Sequence, residues 1–226
     1  MNTATGETNA VSRVDCCTPD WLPDSRSILF SRRPTGQETK GGYGWTQLWM
    51  ANAEGKNRQL VYGEEGRHVY GGHVSPDGRY VLFTGNMRED GDPGNAGAPM
   101  GLMRLSDSPM IRGESRELRR LHHETKSGPV LVLPAGWEPC WTFSQIPGMP
   151  AADATDATDL TDDTTNLAAE LHDRGWLVFS ARTDRGDWDL FRMRPDGSDR
   201  RKVTNTPELN EAGARFSPDG TELLYY

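Results

Sequence analysis

Three cysteines are too few to frame a disulfide-built fold, and two of them, Cys16 and Cys17, are adjacent. No stretch approaches the roughly 20 consecutive apolar residues that a membrane-spanning helix requires. Residues Met1 to Asp15 are polar and carry neither an apolar signal core nor a cleavage pattern. The chain as written is therefore expected to be soluble and not exported. A basic stripe is missing too. The net charge of −8 comes largely from seven acids in residues 151–173, which contain no Lys or Arg; without them the charge is −1. A body so nearly balanced argues against nucleic acid as a partner. No Gly-x-Ser-x-Gly elbow is present, and no glycine loop follows a strand to open a phosphate-binding helix. Helical periodicity is almost absent; only Asn166–His172 is expected to form a short helical turn.

What remains is a turn-rich chain with 25 Gly, seven Trp and only 35% apolar residues, a composition that suits short β-strands. One ten-residue pattern recurs. Val74-Ser75-Pro76-Asp77-Gly78-Arg79-Tyr80-Val81-Leu82-Phe83 returns as Phe216-Ser217-Pro218-Asp219-Gly220-Thr221-Glu222-Leu223-Leu224-Tyr225. A looser copy is Trp21-Leu22-Pro23-Asp24-Ser25-Arg26-Ser27-Ile28-Leu29-Phe30. Proline presets φ at the first turn position, aspartate caps the turn through its side chain, and glycine supplies a positive φ. An apolar run ending in an aromatic follows, so each copy reads as a β-hairpin.

Around these hairpins the strand order repeats. The first unit has strands at Asp20–Leu22, Ser27–Arg32, Thr46–Ala51 and Arg58–Val61. The second has His73–Ser75, Tyr80–Thr84 and Gly101–Leu105, with Ser115–Leu121 expected as its fourth strand. In the third unit Pro139–Phe143 opens a blade, but no Pro-Asp-Gly turn follows. An acidic insert, 144–174, expected to be a solvated loop, stands in its place. Strands resume at Trp176–Ser180, Trp188–Met193 and Arg201–Thr204. The apolar run Val130–Pro134 reads as an extra strand. Four short antiparallel strands in about 45 residues are the content of one propeller blade. The expected division is a disordered lead-in at 1–14, units at 15–62, 63–122 and 135–204, and a partial unit at 205–226.

These motifs together, with Asp189-Leu190-Phe191-Arg192-Met193, an Asp-Gly turn and Arg200-Arg201-Lys202-Val203-Thr204, resemble the TolB-like (WD40-like) β-propeller repeat. Ser25 replaces the usual glycine in the first unit, and the third unit lacks the turn motif. The resemblance implies an all-β propeller of four-stranded antiparallel blades. About three and a half blades are present, against six or seven in family members. An incomplete ring of this kind is expected to belong to a longer protein, or to self-associate through open blade edges. By resemblance the function is that of a bacterial, non-enzymatic scaffold binding protein or peptide partners, and the setting is periplasmic. The same resemblance admits a second class, the propeller portion of a prolyl-oligopeptidase-like peptidase or of a metal-dependent polysaccharide lyase. No cofactor or bound metal is expected.

The turn motif also supplies a register for candidate binding residues. Asp20, His73, Cys140 and Arg215 share one column. Five positions earlier stand Asp15, His68 and Asn210, with Cys16 and Glu211 beside them. First strands line a propeller's channel, so Asp15, Cys16, Asp20, His68, His73, Cys140, Glu211 and Arg215 are expected at one channel mouth. Trp45 and Trp137 lack clear repeat equivalents and are expected at a binding surface.

Overall fold

The architecture follows from the hairpins. The computed structural model describes residues 4–8, 10–11, 16–33, 46–63, 68–86, 98–108, 111–112, 128–144 and 162–226. Of His68, Asn86, Ile111, Arg112 and Asp162 it describes the backbone alone. Strands β1 (Cys16–Trp21), β2 (Ser27–Arg32), β3 (Gln47–Asn52) and β4 (Gln59–Tyr62) form the first antiparallel sheet in chain order. The second sheet starts with β5 (His68–Val74), β6 (Tyr80–Asn86) and β7 (Pro99–Arg104). A two-residue strand, β8 (Ile111–Arg112), then turns back to pair with β4, adding a fifth strand to the first sheet. The strand that pairs with β7 is β9 (Leu131–Ala135). The apolar run near Val130–Pro134 is thus the outer strand of the second blade. Ser115–Leu121 lies outside the described residues.

The third sheet contains β10 (Trp137–Thr142), β11 (Trp176–Arg182), β12 (Trp188–Met193) and β13 (Arg201–Lys202). A two-stranded fourth sheet, β14 (Arg215–Phe216) and β15 (Leu223–Leu224), follows. These are β-propeller blades in sequence, without a closed ring. Consecutive first strands lie side by side, β1 next to β5, β5 next to β10 and β10 next to β14, which defines the inner edge.

Local chemistry explains the turns. In the second blade the Ser75 hydroxyl donates to Asp77 Oδ1 at 2.6 Å and accepts the N–H groups of Arg79 and Tyr80 at 3.2 and 3.0 Å. Gly78 takes φ 73°. The fourth blade repeats this with Ser217, Asp219 and Gly220. In the first blade Leu22 replaces the serine, and Asp24 Oδ1 accepts N–H groups of both Arg26 and Ser27 at 2.8 Å. Ser25 still adopts φ 54°, so that turn takes the left-handed conformation without glycine.

Alternation along each second strand divides the core between neighbouring blades. Val81 and Phe83 pack toward the first blade with Leu29, Leu48 and Val74. Tyr80 and Leu82 pack toward the third with Trp141, Leu177 and Phe179. Val74 and Trp141, at equivalent places near the ends of their first strands, therefore pack on the preceding blade. Trp141 is buried and lies 5.6 Å from Tyr80 between ring centroids, whereas the equivalent Trp21 is 57% exposed. Trp21 sits on the first of the described blades.

Parts of the lead-in and of the acidic insert belong to the described residues. Val11, from the lead-in, packs against Ile28, Phe30 and Trp49, and its carbonyl accepts Arg58 Nε at 2.9 Å. The end of the acidic insert is helix α1 (Asp162–Leu171), longer than the expected turn. Its Leu167 and Leu171 are fully buried in the core between the second and third blades. An apolar pair four residues apart gives α1 a side to bury. A Glu between them in sequence, Glu170, then faces Tyr80, Arg79 and Arg104. Helix α1 thus staples two blades where the third unit has lost its turn motif.

Candidate functional site

Three first strands, and the segment two positions before Arg215 at the start of the fourth, contain one residue in the left-handed region at the same place in the repeat. They are Thr18 (φ 48°), Gly71 (φ 62°), Glu138 (φ 47°) and Gly213 (φ 65°). In β1, β5 and β10 it sits in a bulge, where three steps on the inner strand face two on its partner: Cys17 to Asp20 against Ser31 to Leu29, Tyr70 to His73 against Thr84 to Leu82, and Trp137 to Cys140 against Ser180 to Val178. A single extra residue re-aims every side chain beyond it. Two positions past each left-handed residue stand Asp20, His73, Cys140 and Arg215. Ser31 helps hold two of these bulges, its hydroxyl 2.9 Å from Thr18 Oγ1 and accepting Gly71 N–H at 3.1 Å.

The structure brings this column together. Asp20 Oδ2 lies 2.9 Å from His73 Nδ1 and accepts the N–H of Val74 at 3.0 Å, tying the first blade to the second. Burial pushes the Asp20 carboxyl upward. The hydrogen bond and charge of His73, the Val74 N–H and the charge of Arg215 outweigh it, and the carboxyl stays below its ordinary value. Cys140 is buried; loss of water pushes its thiol up to about 12, against a smaller opposing pull from the Arg215 charge. His73, Cys140 and Arg215 line a cavity of about 310 Å³, together with Trp141, Phe143 and the Pro218-Asp219-Gly220 turn. The cavity opens at the end of the inner strands that carries the Pro-Asp-Gly turns.

Of the second column, the described residues Cys16 and Glu211 stand apart from it. Cys16 pairs with Arg32, three partner steps from Leu29, the partner of Asp20. At about 3.4 Å per residue this places Cys16 roughly 10 Å along the strand, toward the opposite end. Cys16 and Cys17 are exposed. Glu211 is buried and accepts hydrogen bonds from Thr204 Oγ1, at 3.1 Å, and from Thr206 Oγ1. Its N–H donates to the Trp188 carbonyl at 2.9 Å, so Glu211 closes the third blade against the fourth. Asp15 and the His68 side chain lie outside the described residues, as does Trp45. Trp137 stacks on Tyr70 at 5.0 Å, which makes it an inter-blade contact. Among the described residues no three His, Cys, Asp or Glu side chains group as metal ligands. No described helix is long and apolar enough to cross a membrane.

The bulge was the signal missed in the sequence. Gly71 marks it two positions before the column in the second unit, but Thr18 and Glu138 conceal it in the first and third. A non-glycine residue at positive φ is uncommon and cannot be read from composition.

Successive four-stranded antiparallel sheets with converging first strands define the class as β-propeller. Within that class the fold is TolB-like. A protein assigned as TolB from Agrobacterium tumefaciens superposes with a TM-score of 0.50 at 13% identity, covering 92% of this chain and 52% of that one. This chain therefore spans about half the length of that protein. Prolyl endopeptidase (TM-score 0.46, 11% identity, 93% of this chain and 26% of that one) and tricorn protease (TM-score 0.37, 11% identity, 99% and 24%) are further structural neighbours. No family model matches the sequence, and no curated protein matches it.

Proposed function

We propose that this chain is a recognition scaffold that binds a protein or peptide partner at the turn-side end of its inner strands. The observation that supports this reading is the convergence of Asp20, His73, Cys140 and Arg215, one from each of four sheets, beside a single cavity. Rigid strands hold the four positions, and the loops around them supply shape, the usual division of labour in binding proteins. An aromatic rim fits the role. Phe143 remains 37% exposed while standing edge-on to the buried Trp141, at 5.9 Å and 81°.

Peptides selected on the full chain from a random display library test the proposal. Phe143→Glu places a charge on the rim without disturbing a packed core, and Glu54→Arg alters an exposed turn of the first blade far along the chain. The selected peptides are expected to lose binding to the Phe143 variant and to retain it with the Glu54 variant. Equal binding to both would reject the site.

A further inference from the structure

We infer that the group recognised at this mouth is a carboxylate of the bound peptide, seated on Arg215 with His73 beside it and an apolar neighbour against Phe143. The inference rests on the reading of the cavity as a peptide site and adds the chemistry of its occupant.

Arg215 is an exposed residue in the wall of the cavity. Of the five N–H donors of a guanidinium, one goes to the carbonyl of Ala214 at 2.6 Å. Among the described residues no carboxylate forms an ion pair with it. The acids nearest to the mouth are engaged elsewhere. Asp20 Oδ2 is held by His73 Nδ1 and the Val74 N–H. Asp219 Oδ1 accepts from the Ser217 hydroxyl at 2.6 Å, the Thr221 N–H at 3.1 Å and the Thr221 hydroxyl at 2.9 Å, all within its own turn. Arg215 is thus left with a fork of donors whose spacing matches the two oxygens of a carboxylate. His73, whose Nδ1 is turned to Asp20, keeps Nε2 as its other polar edge.

Charge decides between anions. One guanidinium stands here with two carboxylates close by, Asp20 behind His73 and Asp219 in the wall. A phosphate of nearly two negative charges would meet about twice the repulsion from these acids that a monoanionic carboxylate meets, so the carboxylate is the anion they disfavour less. Size points the same way. A cavity of about 310 Å³ lies at the lower end of ligand pockets, about 300–1,000 Å³. It takes the tip of a peptide, with the partly exposed Phe143 ring as the apolar contact next to the charge. The carboxylate is either a chain terminus or an Asp or Glu side chain.

Titrations of the ¹⁵N-labelled full chain separate these sources. The probes are Ac-Ala-Gly-Leu-Phe with a free carboxylate, its C-terminal amide, Ac-Ala-Leu-Glu-Phe-amide and the Gln counterpart of the last. At least one acid peptide is expected to bind about tenfold more tightly than its neutral partner, as for a hydrogen-bonded charge pair. Arg215→Gln should abolish that preference while leaving the weak binding of the neutral peptides in place. A preference for the first pair assigns a terminus, and for the second pair a side chain. Equal binding of acid and neutral peptides, or a preference that survives Arg215→Gln, overturns the carboxylate inference but not the peptide site. If none of the four peptides at millimolar concentration shifts the resonances of His73, Trp141 or Phe143, both readings fall. Arg215 is exposed, so the variant should fold, and its circular dichroism and melting curve check this directly.

Discussion

Replacing Glu170 with alanine tests whether the acidic insert holds the second and third blades together. Glu170 Oε2 accepts both Arg104 Nε at 2.9 Å and Nη2 at 2.7 Å, while Oε1 accepts the Tyr80 hydroxyl and Arg79 Nη2. Both partners of the main pair are about a quarter exposed, 26% for Arg104 and 25% for Glu170. Hydrogen bonds to charged groups contribute about 1.5–3 kcal/mol each, and exposed ion pairs about 0.2–1. A partly screened pair with two donors on one oxygen therefore contributes about 1–2 kcal/mol. A Tyr80 hydroxyl left without its acceptor adds about 1 kcal/mol. Glu170→Ala is thus expected to lower stability by about 2–3 kcal/mol, read as a shift of about 1 M in the urea midpoint of tryptophan fluorescence for a slope of about 1–3 kcal/mol/M. In a double-mutant cycle with Arg104→Ala the coupling should reach about 1 kcal/mol.

The effect carries a pH signature. The hydrogen bond from Tyr80, and then the bonds and charges of Arg104 and Arg79, hold the Glu170 carboxyl below its ordinary value of 4.5 against the opposing effect of burial. A carboxyl lowered on folding stabilises the protein fully above its unfolded value, and that contribution is lost as the pH falls through the folded one. The difference between wild type and Glu170→Ala should therefore be full at neutral pH and shrink below 4.5. Burial and the hydrogen bond to Glu170 push the Tyr80 phenol up to about 12, so it remains a donor throughout this range. Additive single variants, or a difference unchanged at about pH 3, below the ordinary range of carboxylates, would refute the argument.

Two further outcomes are expected. In the native protein a disulfide reagent should label Cys16 and Cys17, which are exposed, while Cys140, buried with its thiol at about 12, reacts only after unfolding; three thiols titrating at one rate would contradict the burial. Glu138→Gly should stabilise the chain by about 0.5–1 kcal/mol, because the strain of φ 47°, about 1–2 kcal/mol for a residue with a Cβ, exceeds the entropy cost of glycine, about 0.5–1 kcal/mol; a loss in melting temperature would show that the Glu138 side chain, and not the backbone, holds the bulge.

Much of this molecule could be read in the order of its residues. Pro-Asp-Gly, Asp24 and the apolar runs act within a few residues, so φ, ψ and period-two alternation are already decided locally. That reasoning placed β1 to β7 and β10 to β13, and it put Asp20, His73, Cys140 and Arg215 in a common column. It also put Cys16 at the same mouth, which the strand keeps about 10 Å from Asp20, since a residue count along a strand is a length and not a convergence. Three matters were decided only in three dimensions. The outer edge of the second blade went to β9, because edge pairing depends on which distant segment reaches the free hydrogen bonds of β7. The end of the acidic insert became a docked helix, because Leu167 and Leu171 are apolar enough to bury only once two blades offer them a seam. The bulges at Thr18 and Glu138 formed without glycine, because pairing on both sides enforces a backbone that those residues do not prefer alone. The hairpin was therefore a property of the sequence, while the meeting of four side chains at one cavity required the register between sheets.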